Sequence, residues 1–103
     1  MSLEKYTVVA TGKMRQCAYE YLKKKVNLID WQQGGKIPAT QLTERLQLAD
    51  AIYSTGNIKI DEEFLSKAPN VKVIAQASVG YDNIDVNACY KRGILVGNTP
   101  GVL

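Results

Sequence analysis

The sequence predicts an α/β fold, a flavodoxin-like parallel five-stranded sheet with helices on both faces. Five short apolar segments, rich in β-branched residues, alternate with segments of helical periodicity. The connections are short, and strands that alternate with helices form parallel sheets covered on both faces. Because no long insertion interrupts the alternation, we expect the strand order 2-1-3-4-5.

The first half of the chain predicts three strands and two helices. We expect strands over residues 6–10, 26–31 and 50–54. Pro38 is suited to open the second helix, because its missing N–H would be unpaired at that position in any case. The first helix is indicated by apolar residues at helical spacing, namely Met14, Cys17, Ala18, Tyr21 and Leu22.

The second half predicts two shorter helices, each capped by an aspartate. Asp61 precedes one of them, and Asp85 precedes the other, which ends at Gly93. An aspartate before a helix accepts hydrogen bonds from free N–H groups of the first turn, and glycine commonly ends a helix. We expect strands over residues 71–75 and 94–96 on either side of the second helix.

Composition excludes several classes of function. Of the 103 residues 46% are hydrophobic and 22% are charged, and the formal net charge is only +3. The basic run 23–25 falls at a helix end, where cations favour the dipole, so we expect no nucleic-acid partner. No stretch approaches the roughly 20 apolar residues of a membrane span, and the first residues show no apolar segment of the kind found in signal peptides. We therefore expect a cytoplasmic protein with no membrane partner.

The two cysteines predict no metal site and no disulfide framework. Cys17 and Cys89 are far apart in the sequence, and the chain has no histidine. A zinc site would need further His or Cys ligands. Both cysteines fall on apolar faces of predicted helices, so we expect them to be small core residues.

Three segments that contain glycine follow the first, third and fourth strands, at residues 11–13, 54–57 and 78–81. Ligands of such sheets bind beyond the carboxyl ends of the strands. The segments carry hydroxyl groups but no acid, which suits a small anion and is poor for a divalent metal. In the third, Gly80 leaves room for a ligand close to the backbone just before the helix that Asp85 caps.

Simpler interpretations of these residues stay open. Glycine and threonine are ordinary loop residues, and residues 11–13 are either an anion loop or a plain turn with a solvated lysine. Asp82 and Asp85 form either a carboxylate pair for acid–base chemistry or, as we prefer, a turn residue and a helix cap.

Four segments of the C-terminal half form a specific joint pattern. They are Lys72-Val73-Ile74, Ser78-Val79-Gly80-Tyr81-Asp82-Asn83-Ile84-Asp85, Lys91-Arg92-Gly93-Ile94 and Asn98-Thr99-Pro100-Gly101-Val102-Leu103. As a set they resemble the NAD(P)-dependent D-isomer specific 2-hydroxyacid dehydrogenase family. The last segment is most similar to the version found in glyoxylate and hydroxypyruvate reductases of that family.

The resemblance implies that residues 1–103 are an incomplete substrate-binding domain of an enzyme that interconverts 2-keto acids and D-2-hydroxy acids. Two groups of residues match the family's substrate-binding positions, namely Ser78, Val79 and Gly80 and, in a second loop, Ser54, Thr55 and Gly56. By resemblance, the first group holds the substrate carboxylate on backbone amides. The second group lines the other end of the substrate.

The resemblance also implies what this chain lacks. The family's GxGxxG nucleotide fingerprint is absent from the sequence, so a Rossmann domain of the same polypeptide would bind NAD or NADP. The family's catalytic arginine, acid and histidine match nothing here, and we expect Arg15, Arg45 and Arg92 to be outward helix charges. We therefore expect the chain alone to have no catalytic residues, to bind no cofactor or metal and to be inactive, and the parent enzyme to be a homodimer.

A second interpretation is a stand-alone flavodoxin-like module that binds a small anion without catalysis. A receiver domain would need acids after the first and third strands, and an FMN-binding flavodoxin would need a longer phosphate loop; the sequence has neither. If the chain is instead part of a larger domain, the sheet should expose an apolar patch that promotes self-association.

Overall fold

Five parallel strands form the central sheet. A computed structural model describes residues 6–31, 37–56, 58–77 and 83–98. The order of the strands across the sheet is β2-β1-β3-β4-β5, and all neighbouring pairs are parallel. The predicted fold class and strand order are therefore confirmed. The strands are β1 (Thr7–Ala10), β2 (Asn27–Ile29), β3 (Ala51–Ser54), β4 (Val73–Gln76) and β5 (Leu95–Asn98).

Helices connect successive strands. They are α1 (Gln16–Lys25), α2 (Ala39–Leu48), α3 (Glu62–Ser66) and α4 (Val86–Lys91). Pro38 directly precedes α2, as predicted. None of the helices in the described ranges is both long and apolar enough to cross a membrane.

Both short helices begin with the aspartate caps that the sequence predicts. Oδ1 of Asp61 accepts a hydrogen bond of 3.1 Å from the N–H of Phe64. Oδ1 of Asp85 accepts one of 3.0 Å from the N–H of Ala88. The caps satisfy N–H groups that would otherwise lack a helical partner, and they fix where the chain turns from each loop into its helix.

The larger core lies between one face of the sheet and helices α2, α3 and α4. Alternate residues of the strands point to this face, because successive side chains in a strand point to opposite sides. A fully buried aliphatic side chain stabilises the fold by about 1.5–3 kcal/mol relative to an exposed one, so this layer holds the helices on the sheet. Residues at its centre are Val9, Leu46, Ile52, Leu65, Ile74 and Cys89.

Among the described residues, the opposite face of the sheet is covered only above β1 and β3. There α1 packs on β1 and β3, where Met14, Ala18 and Tyr53 form a smaller core. The remainder, which we call the open face, comprises Val73 and Leu95, 41% and 69% exposed. These two residues are partners across the β4–β5 ladder. An apolar patch on the sheet was predicted, and the exposure of these side chains agrees with it.

Helix α1 is less buried than its apolar stripe predicts. Ala18 is buried and Leu22 is half-buried, but Cys17 is exposed and Tyr21 is 61% exposed. The prediction that Cys17 is a core residue is wrong, whereas Cys89 is buried as predicted. The stripe identifies which helix residues are apolar but not which of them a neighbouring element covers. In the described ranges this flank of α1 has no cover.

Arg45 was predicted to be an outward-facing helix charge, and this prediction is wrong. Nη1 of Arg45 donates to the carbonyl oxygen of Asp30 at 2.8 Å, and the guanidinium lies 5.4 Å from the ring centroid of Trp31. The arginine therefore fastens α2 to the end of β2. Arg92, in contrast, forms a surface ion pair of 3.5 Å with Glu62.

Candidate functional site

Three buried polar residues lie at the carboxyl edge of the sheet. Thr11 follows β1, Ser54 ends β3 and Gln76 ends β4, and each is 0% exposed. Ser54 and Gln76 are partners across the β3–β4 ladder. Polar atoms are costly to bury without hydrogen bonds, so the hydrogen-bond partners of these side chains show which loops they hold in place at this edge.

Thr11 holds the loop that follows β3. Its Oγ1 accepts a hydrogen bond of 3.1 Å from the N–H of Thr55, and its own N–H donates to the carbonyl oxygen of Tyr53 at 3.0 Å. The neighbouring Lys13 is exposed. This geometry favours a structural turn over an anion loop at residues 11–13.

The predicted site residues Ser54, Thr55 and Gly56 form a loop whose amides are already used. Oγ of Ser54 accepts a hydrogen bond of 3.3 Å from the N–H of Gly56, and the N–H of Thr55 is bound to Thr11. Gly56 has a φ of +86°, a left-handed conformation that favours glycine. Because these N–H groups are satisfied internally, the loop can form a wall of a binding site but not its anion cradle.

The other three predicted site residues, Ser78, Val79 and Gly80, lie outside the residues that the structure describes. The two described residues on either side of 78–82 are Ala77 and Asn83, and both are fixed. The N–H of Ala77 donates to the carbonyl oxygen of Ser54 at 2.7 Å.

Asn83 joins β4 to the segment after β3. Its side-chain amide pairs with that of Gln76, where Nε2 of Gln76 donates to Oδ1 of Asn83. Nδ2 of Asn83 donates to the carbonyl oxygen of Ile58 at 3.0 Å. The sequence predicts no separate role for Gln76 or Asn83, although Asn83 lies in the segment 78–85 that carries the family resemblance. A glutamine at the end of an otherwise apolar strand was the available signal.

The described part of this edge, at residues 11–15, 54–56, 76–77 and 83, contains no carboxylate. Its cations, Lys13 and Arg15, both follow β1 and are exposed. Burial is the main cause that raises the pKa of the nearby Tyr53 phenol, an effect that Arg15 opposes and Cys17 reinforces. Tyr53 thus stays neutral near pH 7, and the edge is neutral to positive, which is compatible with an anionic ligand.

No group of three His, Cys, Asp or Glu residues that could hold a metal ion occurs in the described ranges. Asp61 and Asp85, which follow the edge segments 54–56 and 83 in sequence, serve as helix caps. The interpretation of Asp85 as a cap is therefore confirmed, while Asp82 lies outside the described residues.

The chain matches a known protein family over most of its length. The model of the D-isomer specific 2-hydroxyacid dehydrogenase catalytic domain matches residues 8–103. The chain belongs to this family. The family resemblance of the four C-terminal segments is thereby confirmed.

Relatives in the 2-hydroxyacid dehydrogenase family are similar to the chain in sequence and in structure. A glyoxylate reductase from Thermococcus litoralis is 47% identical over 73 residues, which cover 71% of this chain and 22% of that protein. The crystal structure of the PH0520 protein from Pyrococcus horikoshii OT3 superposes with a TM-score of 0.81 at 33% identity, covering 95% of this chain and 28% of that one.

A D-lactate dehydrogenase from Aquifex aeolicus, solved as a complex with NAD and lactic acid, has a TM-score of 0.71 at 31% identity and covers 92% of this chain and 28% of that one. The chain spans only about a quarter of the length of the curated relatives it matches, between 19% and 29%.

Proposed function

We propose that this chain is the substrate-binding portion of an NAD(P)-dependent oxidoreductase that interconverts 2-keto acids and D-2-hydroxy acids. The observation that carries the proposal is the match of the family's catalytic domain over residues 8–103. Glyoxylate or hydroxypyruvate is the favoured substrate, because several similar relatives are glyoxylate reductases.

In this proposal the substrate carboxylate binds to the backbone amides of Val79 and Gly80, with Ser78 beside them. An amide cradle before a helix suits a carboxylate, and the described edge has no acid to repel it. Thr55 and Gly56 form the wall at the other end of the substrate. The engagement of their own amides within the loop supports this division of roles.

The reduction of a 2-keto acid needs more than a carboxylate site. It needs a hydride donor, a cation near the carbonyl and a proton donor for the new hydroxyl. The chain has no histidine and no GxGxxG fingerprint, so its residues do not fit a dinucleotide or a histidine acid. We propose that a Rossmann domain of the same polypeptide binds NAD or NADP and supplies these groups, and that this chain alone is inactive.

The open face supports the view that residues 1–103 are part of a larger domain. Parallel sheets normally have both faces covered, because their strands are apolar on both sides. Here Val73 and Leu95 are exposed, and a Cβ added at Gly97 would meet nothing within 4 Å. We propose that a further segment of the same cytoplasmic polypeptide covers this face, and that the complete enzyme is a homodimer.

A titration of the ¹⁵N-labelled chain with glyoxylate, followed by the chemical shifts of its backbone amides, tests the carboxylate site. We expect saturable shifts at Val79 and Gly80 that an equal concentration of chloride does not reproduce. Binding should be weak, because the cation that would pair with the carboxylate lies outside this chain. Gly80→Val should abolish the shifts by filling the cradle, whereas Gly97→Val on the open face should preserve them.

Two results would contradict the proposed site. Equal shifts with chloride and glyoxylate would indicate a nonspecific effect of ions, and shifts confined to another edge of the sheet would place the ligand elsewhere. Tight binding of glyoxylate by the chain alone would favour the stand-alone anion-binding module instead.

A further inference from the structure

Gln76 and Asn83 form a pair of side-chain amides at the carboxyl end of β4. Gln76 is fully buried, and its Nε2 donates to Oδ1 of Asn83. The reciprocal contact, from Nδ2 of Asn83 to Oε1 of Gln76, is 3.5 Å. Each amide thus presents its donor to the other's acceptor.

Asn83 makes two further hydrogen bonds, both to the segment after β3. Its Nδ2 donates to the carbonyl oxygen of Ile58 at 3.0 Å, and its own carbonyl oxygen accepts from the N–H of Ile60 at 2.6 Å. The Ile58 carbonyl requires a donor, so it fixes which terminal atom of Asn83 is nitrogen and leaves Oδ1 for Gln76. The side-chain amide of Asn83 therefore links the end of β4 to the carbonyl oxygen of Ile58. Backbone hydrogen bonds of Ile60 with Asn83 and Asp85 join residues 58–60 to residues 83–85 beside it.

An apolar residue would be the simpler choice at position 76. Ile74, two residues earlier and on the same side of β4, is fully buried in the large core. A buried amide must keep its hydrogen bonds to avoid a large desolvation cost, and such bonds are directional. Packing of two aliphatic side chains would tolerate several separations of the loops, whereas the amide pair specifies one.

The segments joined by this pair border the proposed substrate edge. The segment 58–60 continues from the wall loop of Thr55 and Gly56, which Thr11 holds from its other side. Ala77 and Asn83 are the described residues that flank 78–82, and Ala77 is bound to Ser54. The amide pair thus lies where it can set the distance between the wall loop and both flanks.

We propose that Gln76 and Asn83 are positioning residues, whose side-chain amide pair sets the distance between the wall loop after β3 and the backbone at residues 77 and 83. The effect on substrate binding rests on the proposed function. The positional effect does not, because it concerns only hydrogen bonds among described residues.

Exchange of backbone amide protons measures the positional effect in the chain itself. We compare Gln76→Met, Asn83→Leu and the swapped double variant Gln76→Asn/Asn83→Gln, which retains two amides. In each single variant we expect exchange at the amides of Gly56, Ile60 and Ala77 to accelerate about tenfold, while exchange at Asp50 stays unchanged. The amide of Asp50 donates to Thr7 at the opposite edge of the sheet, so it reports on global opening.

Rescue by the swapped variant separates positioning from general stability. We expect exchange at these three amides to return to within about threefold of the wild-type rate. Asn27→Ala is the matched control, because Nδ2 of Asn27 donates to Oγ1 of Thr7 at the amino edge. It should leave exchange at the carboxyl edge unchanged.

The remaining outcomes also decide the inference, in one direction or the other. Acceleration of equal size at Asp50 would indicate a purely structural role, and unchanged exchange would indicate no role. If both single variants unfold, a swapped variant that also unfolds would overturn the proposal, and one that folds with wild-type exchange would support it.

A parallel glyoxylate titration distinguishes the two proposals. We expect the single variants to weaken the wild-type shifts at Val79 and Gly80 and the swap to restore them. If the wild-type chain shows no such shifts, the proposed carboxylate site fails while the exchange data still decide the positional role. If the wild type binds and the exchange pattern is absent, only the present inference fails.

Discussion

Thr11 is a polar residue whose side chain fixes a loop from inside the protein. Its hydroxyl oxygen is the acceptor for the N–H of Thr55, and the residue is fully buried. A hydrogen bond is stronger in a low-dielectric interior than in water, and a missing partner is more costly there. The residue thus links the end of β1 to the wall of the proposed site.

Thr11→Val should lower the free energy of unfolding by about 1–3 kcal/mol. Valine has nearly the same shape as threonine but no hydroxyl oxygen, so the N–H of Thr55 loses this acceptor. Thr11→Ser, which keeps the hydroxyl, is the control and should lose less. Urea unfolding monitored by tryptophan fluorescence measures both, since the chain has one tryptophan. Equal midpoints for the valine and serine variants would contradict this role of the hydroxyl.

Cys89 should make stability fall at alkaline pH. Burial is the main cause that raises the pKa of its thiol, with a smaller contribution from Asp85, while Arg92 opposes the shift. When the pKa of a thiol is raised in the folded state, its full contribution to stability is present below the pKa that it has in the unfolded chain, about 8.5. That stability is lost as the pH rises through the folded pKa, because only the unfolded chain ionises readily.

Urea unfolding across pH 7 to 10.5 checks the contribution of Cys89. We expect the free energy of unfolding to be flat below about pH 8.5 and to decrease above it. Cys89→Ala should reduce this slope, whereas Cys17→Ala should retain it because Cys17 is exposed. A slope unaffected by Cys89→Ala would contradict the assignment.

Helix α4 ends in a motif that depends on Gly93. With a φ of +72°, the N–H of Gly93 donates to the carbonyl oxygen of Tyr90 at 3.0 Å and that of Ile94 to Cys89 at 2.9 Å. These two bonds form a Schellman motif, which needs a residue in the left-handed region after the helix. The motif turns the chain from α4 directly into β5.

Gly93→Ala should lower the free energy of unfolding by about 1–2 kcal/mol, because an L residue pays that cost in the left-handed region. Gly97→Ala is the matched control. A Cβ at either position meets no atom within 4 Å, and only Gly93 has a positive φ. Thermal unfolding should therefore separate the two variants, and an equal loss in both would contradict the conformational explanation.

The secondary-structure elements were predictable where local chemistry determines them. Aspartate caps at Asp61 and Asp85, and the glycine stop at Gly93, act within one or two turns of the chain, so the sequence alone located these helix ends. The burial of Cys17 and Tyr21 was predicted wrongly, because it depends on what packs against α1. The contact of Arg45 with Trp31 was missed for the same reason, since 14 positions separate the two residues.

For the whole molecule, the open face should promote association in solution. Val73 and Leu95 expose apolar side chains side by side on the sheet. Contiguous apolar surface of this kind promotes association. In a chain without the segment that we propose to cover it, a second copy is the available partner.

The chain should therefore self-associate, with a mass in sedimentation equilibrium that increases with concentration. Leu95→Lys should shift the equilibrium towards the monomer by placing a charge on the open face. Leu48→Lys is the control, because Leu48 is also an exposed leucine, at 61% against 69% for Leu95, but lies on α2, across the sheet. A wild-type mass that stays monomeric at every concentration would contradict this expectation.

The residues at the candidate site were predictable from the sequence, but the hydrogen bonds between them were not. The order of the strands follows from their alternation with helices, and it places Thr11, Ser54 and Gln76 at one edge. The engagement of the amides of Thr55 and Gly56 could not be read from the sequence, because it depends on side chains from other segments. The pairing of Gln76 with Asn83 likewise requires β4 and the following helix to be in place. The carboxylate site at Ser78, Val79 and Gly80 stays a prediction.

We propose that the complete polypeptide reduces 2-keto acids and that this chain supplies part of its substrate site. Glyoxylate-dependent oxidation of NADH or NADPH by the product of the complete reading frame, compared with the 103-residue chain, tests this proposal. We expect saturable oxidation by the former and none by the latter. A complete product that reduces neither glyoxylate, hydroxypyruvate nor any other 2-keto acid, or a 103-residue chain that is active by itself, would contradict the account.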